Sequence, residues 1–190
     1  MAVEAEDIGI EPAGNADLPA LCSLYYTCLA DGTGALEAPP VLADLNARFA
    51  APLNAGLPVL VARYNATVIG FGVLNRYLPY AGFDRCAASE VWIAPEARGQ
   101  GLGWAMLRDL LIAARSTGLR QVIAHLRADS DAALALHERL GFGSIGRHRD
   151  ACEVGGRLHD IIVMRRSVER LPSAGSGHVI RPAMPAAAGR

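Results

Sequence analysis

The residues best placed to do chemistry in this chain are Arg98-Gly99-Gln100-Gly101-Leu102-Gly103. They follow an apolar run ending in Trp92-Ile93 and a turn carrying Pro95-Glu96, and they open a stretch with helical periodicity. A glycine-rich turn that starts a helix leaves several backbone N–H groups unpaired at the positive end of the helix dipole. Such a turn binds phosphate or another anion. Glycine at 101 and 103 permits a close approach that a side chain would block. Two familiar phosphate loops are excluded by spacing. No Lys-Ser or Lys-Thr follows the glycines, as a Walker A loop requires. Trp104 and Met106 stand where the third glycine of a dinucleotide loop belongs. The plain alternative is a tight turn that merely begins a helix.

The elements around this loop read as mixed α/β. Ile8 to Glu11 is a short strand. Leu18, Leu21, Tyr25, Cys28 and Leu29 recur at helical spacing up to Asp31-Gly32, and Leu42, Leu45 and Phe49 mark a second helix expected to end before Pro52. Leu57 to Arg63 and Thr67 to Leu74 form a hairpin across Tyr64-Asn65-Ala66. The connection Asn75 to Arg85 carries Tyr77, Tyr80 and Phe83, which either line a ligand cleft or pack the loop against itself. Ala87 to Ala94 feeds the glycine loop, and Leu102 to Thr117 is the helix after it. Gln121 to Leu126 is a strand, and a helix bearing Leu136, His137 and Leu140 stops at Gly141. Phe142 enters an extended segment, and Leu158 to Arg165 is the last clear strand, reached through Gly155-Gly156. The connection lengths suit a parallel crossover between the Ala87 and Gln121 strands and an antiparallel first pair.

The chain has 190 residues, of which 52% are apolar and 19% charged, with a formal net charge of -1. This is enough for one domain with a sizeable core. There is no basic excess to neutralise a nucleic-acid backbone. No run reaches membrane-spanning length, and no basic-then-apolar signal opens the chain. The expectation is therefore a soluble cytoplasmic protein without nucleic-acid or membrane partners. Cys22, Cys28, Cys86 and Cys152 include no Cys-x-x-Cys pair and read as free thiols. His125, His148, His159 and His178 form no metal-ligand pattern, so no metal is expected. Residues 1–168 read as the domain. Residues 169–190, rich in proline, alanine and glycine, read as a flexible tail in which His178-Val179-Ile180 packs locally.

Over roughly Ile8 to Met164 the sequence resembles the GNAT superfamily of N-acetyltransferases. The match is carried by Val91-Trp92-Ile93-Ala94-Pro95-Glu96-Ala97-Arg98-Gly99-Gln100-Gly101-Leu102-Gly103 and by Ala135-Leu136-His137-Glu138-Arg139-Leu140-Gly141-Phe142. The second motif looks like the phosphinothricin acetyltransferase branch. The resemblance implies a mixed sheet flanked by helices and splayed beside the glycine loop. It implies acetyl-CoA as cosubstrate, a primary amine of a small molecule as acceptor, and a homodimer. Trp92, Ile93, Arg98, Gly99, Gln100, Gly101, Leu102 and Gly103 are then expected to bind the cosubstrate.

The branch places its glutamate base where this chain has Ala88. Glu90 lies two residues on, on the same strand face, roughly 6.6 Å away. An alkylammonium must lose a proton before it attacks, and Glu90 is the candidate base. The competing reading is a carboxylate held in an ion-pair or hydrogen-bond network. A backbone N–H near Ile93 is expected to stabilise the oxyanion. The branch carries histidine where relatives carry an acidic tyrosine, so His137 is expected as acid or positioning donor. Its alternative is a core histidine bound to a backbone carbonyl. No cysteine lies in a nucleophile pattern, which favours direct transfer in a ternary complex. Competing functions are a non-catalytic acyl-CoA-binding module, to which Ala88 gives weight, and transfer to a polyamine, an aminoglycoside or a protein N-terminus.

Overall fold

The computed structural model describes residues 8–32, 36, 40–169 and 179–180. In chain order the elements are β1 (Ile8–Pro12), α1 (Leu18–Ala30), α2 (Leu42–Asn54), β2 (Val59–Tyr64), β3 (Thr67–Arg76) and β4 (Cys86–Ile93). There follow α3 (Leu102–Ser116), β5 (Gln121–Arg127), α4 (Asp131–Arg139), β6 (Gly143–Val154), β7 (Arg157–Ser167) and β8 (Val179–Ile180). The strands form one mixed sheet in the order β6-β7-β5-β4-β3-β2-β1-β8. The expected α/β class and sheet topology are found: β2 and β3 are antiparallel, and β4 and β5 are parallel across α3.

Adjacent residues of a strand face opposite sides of the sheet, and β3 uses both. Phe71 meets Phe49 of α2 edge-on, with ring centroids 5.1 Å apart. Gly72 turns the other way, where a Cβ would come within 3.1 Å of Met106 on α3. Thus α1 and α2 cover one face and α3 the other. Leu107, Leu110, Leu111 and Ala114 of α3 are buried, as its apolar stripe requires.

Three sequence boundaries shift. The second helix does not stop before Pro52 but runs through it to Asn54. Proline in the last turn removes one N–H, and the ladder resumes with Ala55 N–H donating to the Ala51 carbonyl. The extended segment after Phe142 is a 12-residue strand, which pairs with β7 in a long hairpin. The tail expected over 169–190 lies largely outside the described residues. Within it, the backbone of Val179–Ile180 pairs antiparallel with β1.

The functional feature of the sheet is where β4 and β5 part. Their ladder consists of Cys86–Gln121, Ala87–Val122 and Ala88–Ile123 and then stops. Beyond Ala88 and Ile123 the strands run on to Ile93 and Arg127 without pairing to each other. The expected splay is this gap.

Candidate active site

A cleft of about 360 Å³ occupies the gap, lined by Tyr25, Arg48, Ala88, Glu90, Trp92, Ile93, Arg98, His125 and His137 among others. A larger groove, of about 690 Å³, lies at the paired end of the same strands beside Arg85 and Arg120. It touches neither the glycine loop nor the expected catalytic residues. The splayed end is therefore the site.

At that end the glycine loop works through its backbone. Gly99 and Gly101 have φ of 75° and 83°, which L side chains rarely adopt. Gly101 caps α3 without a side-chain partner. The N–H groups of residues 99–104 have no acceptor among the described residues. They form a cluster of donors at the start of a 15-residue helix, which is the environment a pyrophosphate requires. A Cβ on Gly99 or Gly101 would meet nothing within 4 Å, and on Gly103 would make only ordinary contacts, the nearest with Leu136 at 3.6 Å. The space over the loop is thus open to a ligand. Leu102 is a core residue and contributes only its backbone.

The β4 edge adds further donors. The Ala94 N–H bonds the Ile69 carbonyl at 2.9 Å. Backbone groups alternate in direction along a strand, so the amides of Val91 and Ile93 point into the gap. The Ile93 carbonyl is already taken by Arg98 Nε at 2.9 Å. The Arg98 guanidinium also pairs with Asp31, tying the end of α1 to the end of β4. Arg98 borders the cleft but serves first as a brace. Gln100 turns its side chain back toward the Glu96 carbonyl, at 3.3 Å.

On the same strand, Glu90 is held by three donors. Arg48 Nη2 lies 2.9 and 2.8 Å from its two oxygens. Asn75 Nδ2 donates to Oε1 at 2.9 Å, and Trp92 Nε1 to Oε2 at 3.2 Å. Arg48 in turn donates from Nη1 to the Tyr25 hydroxyl at 3.1 Å and stacks over that ring, 5.2 Å from its centroid. Trp92 packs edge-on to Tyr25 at 4.7 Å. Its indole is thus held between Tyr25 and Glu90. Of the two readings of Glu90, the geometry is that of the networked carboxylate. Arg48 was not singled out from the sequence, because its partner lies 42 residues away.

His137 lines the cleft yet is only 5% exposed. Its Nδ1 is 2.7 Å from the Ala133 carbonyl. A carbonyl only accepts, so Nδ1 carries the proton. Burial holds the imidazole below its ordinary range, partly offset by that bond. The neutral ring then has a bare Nε2 and no second N–H to give. This is the geometry of the carbonyl-bound histidine.

His125 also opens on the cleft, where Tyr77 stacks on it with centroids 6.0 Å apart and planes 20° from parallel. Tyr77 meets Phe83 at 5.9 Å, whereas Tyr80 is exposed. The aromatic connection thus packs on itself and, through Tyr77, on His125; Tyr77, Tyr80 and Phe83 do not themselves line this cleft. Burial pushes the Cys22, Cys28 and Cys86 thiols up, away from the nucleophilic thiolate.

The Acetyltransferase (GNAT) family matches this chain over residues 21–142. The chain belongs to that family. It is 32% identical over 167 residues to the L-methionine sulfoximine/L-methionine sulfone acetyltransferase of Pseudomonas paraeruginosa, covering 87% of this chain and 97% of the relative. To the phosphinothricin N-acetyltransferase of Alcaligenes faecalis it is 34% identical, over 79% of this chain and 77% of the relative. The crystal structure of a phosphinothricin acetyltransferase from Sinorhizobium meliloti in complex with AcCoA superposes with a TM-score of 0.78. That match has 28% identity over 84% of this chain and 88% of the other. This GNAT protein is an acetyl-CoA-dependent N-acetyltransferase of the phosphinothricin/methionine sulfoximine branch, acting on a small amine. Among its described residues no helix is long and apolar enough to cross a membrane.

Proposed function

We propose that this enzyme acetylates the primary amine of an amino acid or a close analogue, such as methionine sulfoximine or phosphinothricin, with both substrates bound together. The observation that carries the reading is the Arg48–Glu90 pair. It presents a positive and a negative charge side by side on the acceptor side of the gap, 31% and 23% exposed. A free amino acid is a zwitterion and matches such a pair with its carboxylate toward Arg48 and its ammonium toward Glu90. A polyamine or aminoglycoside brings no carboxylate for Arg48. The names of the two curated relatives, both acting on amino-acid analogues, support the same class.

In this reading the N–H groups of residues 99–103 hold the pyrophosphate, with the Arg98 charge close by. The Ile93 N–H stands where negative charge develops on the acyl oxygen. Bound acetyl-CoA supplies an activated acyl group. Glu90 draws the ammonium to the β4 edge. His137 closes the cleft floor as a positioning residue, with Phe142 edge-on at 4.9 Å. Burial of the Cys22, Cys28 and Cys86 thiols disfavours them as acyl carriers, in keeping with direct attack. We further propose a homodimer, as the family resemblance implies, working in the cytoplasm; sedimentation velocity tests the oligomeric state.

The deciding experiment is thiol release from acetyl-CoA against methionine sulfoximine, phosphinothricin, ordinary amino acids, polyamines, aminoglycosides and an N-terminal peptide. Amino acids or their analogues are expected to turn over fastest. A preference for polyamines, aminoglycosides or the peptide would overturn the amino-acid reading.

A further inference from the structure

With Glu90 committed to Arg48, Asn75 and Trp92, and Ala88 lacking any proton acceptor, the ammonium still has to lose a proton. The parallel register points to another group. Ala88 pairs with Ile123 as the last rung of the β4–β5 ladder. Two residues further along each strand, on the same face, stand Glu90 and His125. They lie on either side of the opening gap, on one face of the sheet, and both line the cleft. We infer that His125 is the general base of the reaction, taking the proton from an ammonium that Glu90 has drawn into the gap. The assignment rests on the amine-acetylation reading above.

Several observations fit this role. No described residue donates to or accepts from either ring nitrogen of His125. This contrasts with His137, whose Nδ1 is spent on Ala133. Tyr77 stacked on one ring face fixes the plane without occupying a nitrogen. The charged and titratable groups around it are Tyr77 from the β3–β4 connection, His148 of β6, and the Arg48–Glu90 pair across the gap. On β7 its register partner is Val163. His125 keeps an exposed edge, and desolvation of the rest of the ring, then the proximity of His148, hold it below its ordinary range. The ring is therefore neutral, and able to accept, at pH 7. An ordinary imidazole lies about two pKa units closer to an alkylammonium than an ordinary carboxylate does, an advantage that the lowered range of His125 reduces in part. The step is balanced. R–NH3+ becomes R–NH2 with its lone pair available, the imidazole becomes imidazolium, and the proton passes to solvent.

The test compares the full-length wild type with His125→Gln and His125→Glu, using the panel amine that the wild type turns over fastest. Acetyl-CoA binding by calorimetry serves as the check of folding. His125→Gln is expected to bind acetyl-CoA normally and to lose about 10²–10⁴-fold in kcat at pH 7. The loss should shrink by about tenfold per pH unit toward the pKa of the acceptor, where the amine arrives already deprotonated. The wild-type fall in rate on acidification, set below the ordinary imidazole range by the lowered pKa of His125, should be absent from the variant. His125→Glu, which restores a base at that place, should recover part of the loss. A defect of constant size across pH, a defect seen equally in His125→Glu, or full activity in His125→Gln would each overturn the assignment. A change in which acceptor class is preferred would overturn only the amino-acid reading.

Discussion

The two sides of the cleft are built on opposite plans. The cofactor side, Gly99 to Gly103, presents backbone N–H groups and almost no side chain. The acceptor side, with Glu90, Arg48, Tyr25, Asn75 and Trp92, is made of side chains that hold one another. One side is damaged by adding atoms, the other by removing them. A pyrophosphate is common to every reaction of such an enzyme and suits invariant backbone donors. An acceptor differs between relatives and suits side chains, which single substitutions can change.

The largest effect expected on the acceptor side is from Glu90→Ala. It leaves the Arg48 guanidinium beside an empty space and removes the anion that attracts the ammonium. Turnover should fall by about a hundredfold or more. Stability should fall by only about 1–2 kcal/mol, because both partners are partly solvated. Steady-state kinetics and urea titration would measure the two. Next is Gly101→Ala. A φ of 83° costs an L residue roughly 1–2 kcal/mol, and the twisted cap misdirects the N–H groups. Acetyl-CoA affinity should drop about tenfold or more by calorimetry, with acceptor KM little changed.

Arg48→Met sharpens the contrast. Loss of one charge-assisted contact, about 1.5–3 kcal/mol, should raise KM for carboxylate-bearing acceptors by about 10–100-fold. KM for a simple alkylamine should move little, and equal losses for both would refute the zwitterion reading. Gly103→Ala adds one methyl where the protein has room, 3.6 Å from Leu136. Thermal stability should hold or rise slightly, since alanine favours a helix, while acetyl-CoA binding weakens. The smallest effect concerns His137. Its neutral form is favoured in the fold, so the unfolded chain takes up a proton first as pH falls below about 6.5. Stability should decline in that window and be level above it. His137→Leu should flatten part of the slope in denaturation measured from pH 7.5 to 5.

The cofactor side was legible in the sequence because it is local. Glycines, an apolar strand end and a helix start lie within a dozen residues, and backbone chemistry needs nothing from elsewhere. The parallel β4–β5 crossover was legible for the same reason. The acceptor side was not. Glu90 was found, but its partner Arg48 sits on α2 and Asn75 at the end of β3. Nothing in their local patterns marks them. His125 was weighed only as a metal ligand and set aside, since a lone histidine on a strand has no spacing to interpret. Its meaning comes from a register, Ala88 with Ile123, that only the folded sheet supplies. The length of β6 was hidden because most of its residues are exposed, so no apolar alternation marks it. Pro52 misled because a breaker in the last turn of a helix interrupts little.

The ladder between β4 and β5 is only three rungs long, and it is the seam at which β1–β4 and β8 meet β5–β7. The amides of Val91 and Ile93 hang over that seam without a strand to bond. A ligand lying along β4 supplies the missing rungs and stitches the two half-sheets together. Cosubstrate binding is thus also a mechanical event. It should slow hydrogen exchange at those two amides and raise the unfolding temperature as mass action requires. Loss of the product would loosen the same seam and ready the enzyme for its next turnover.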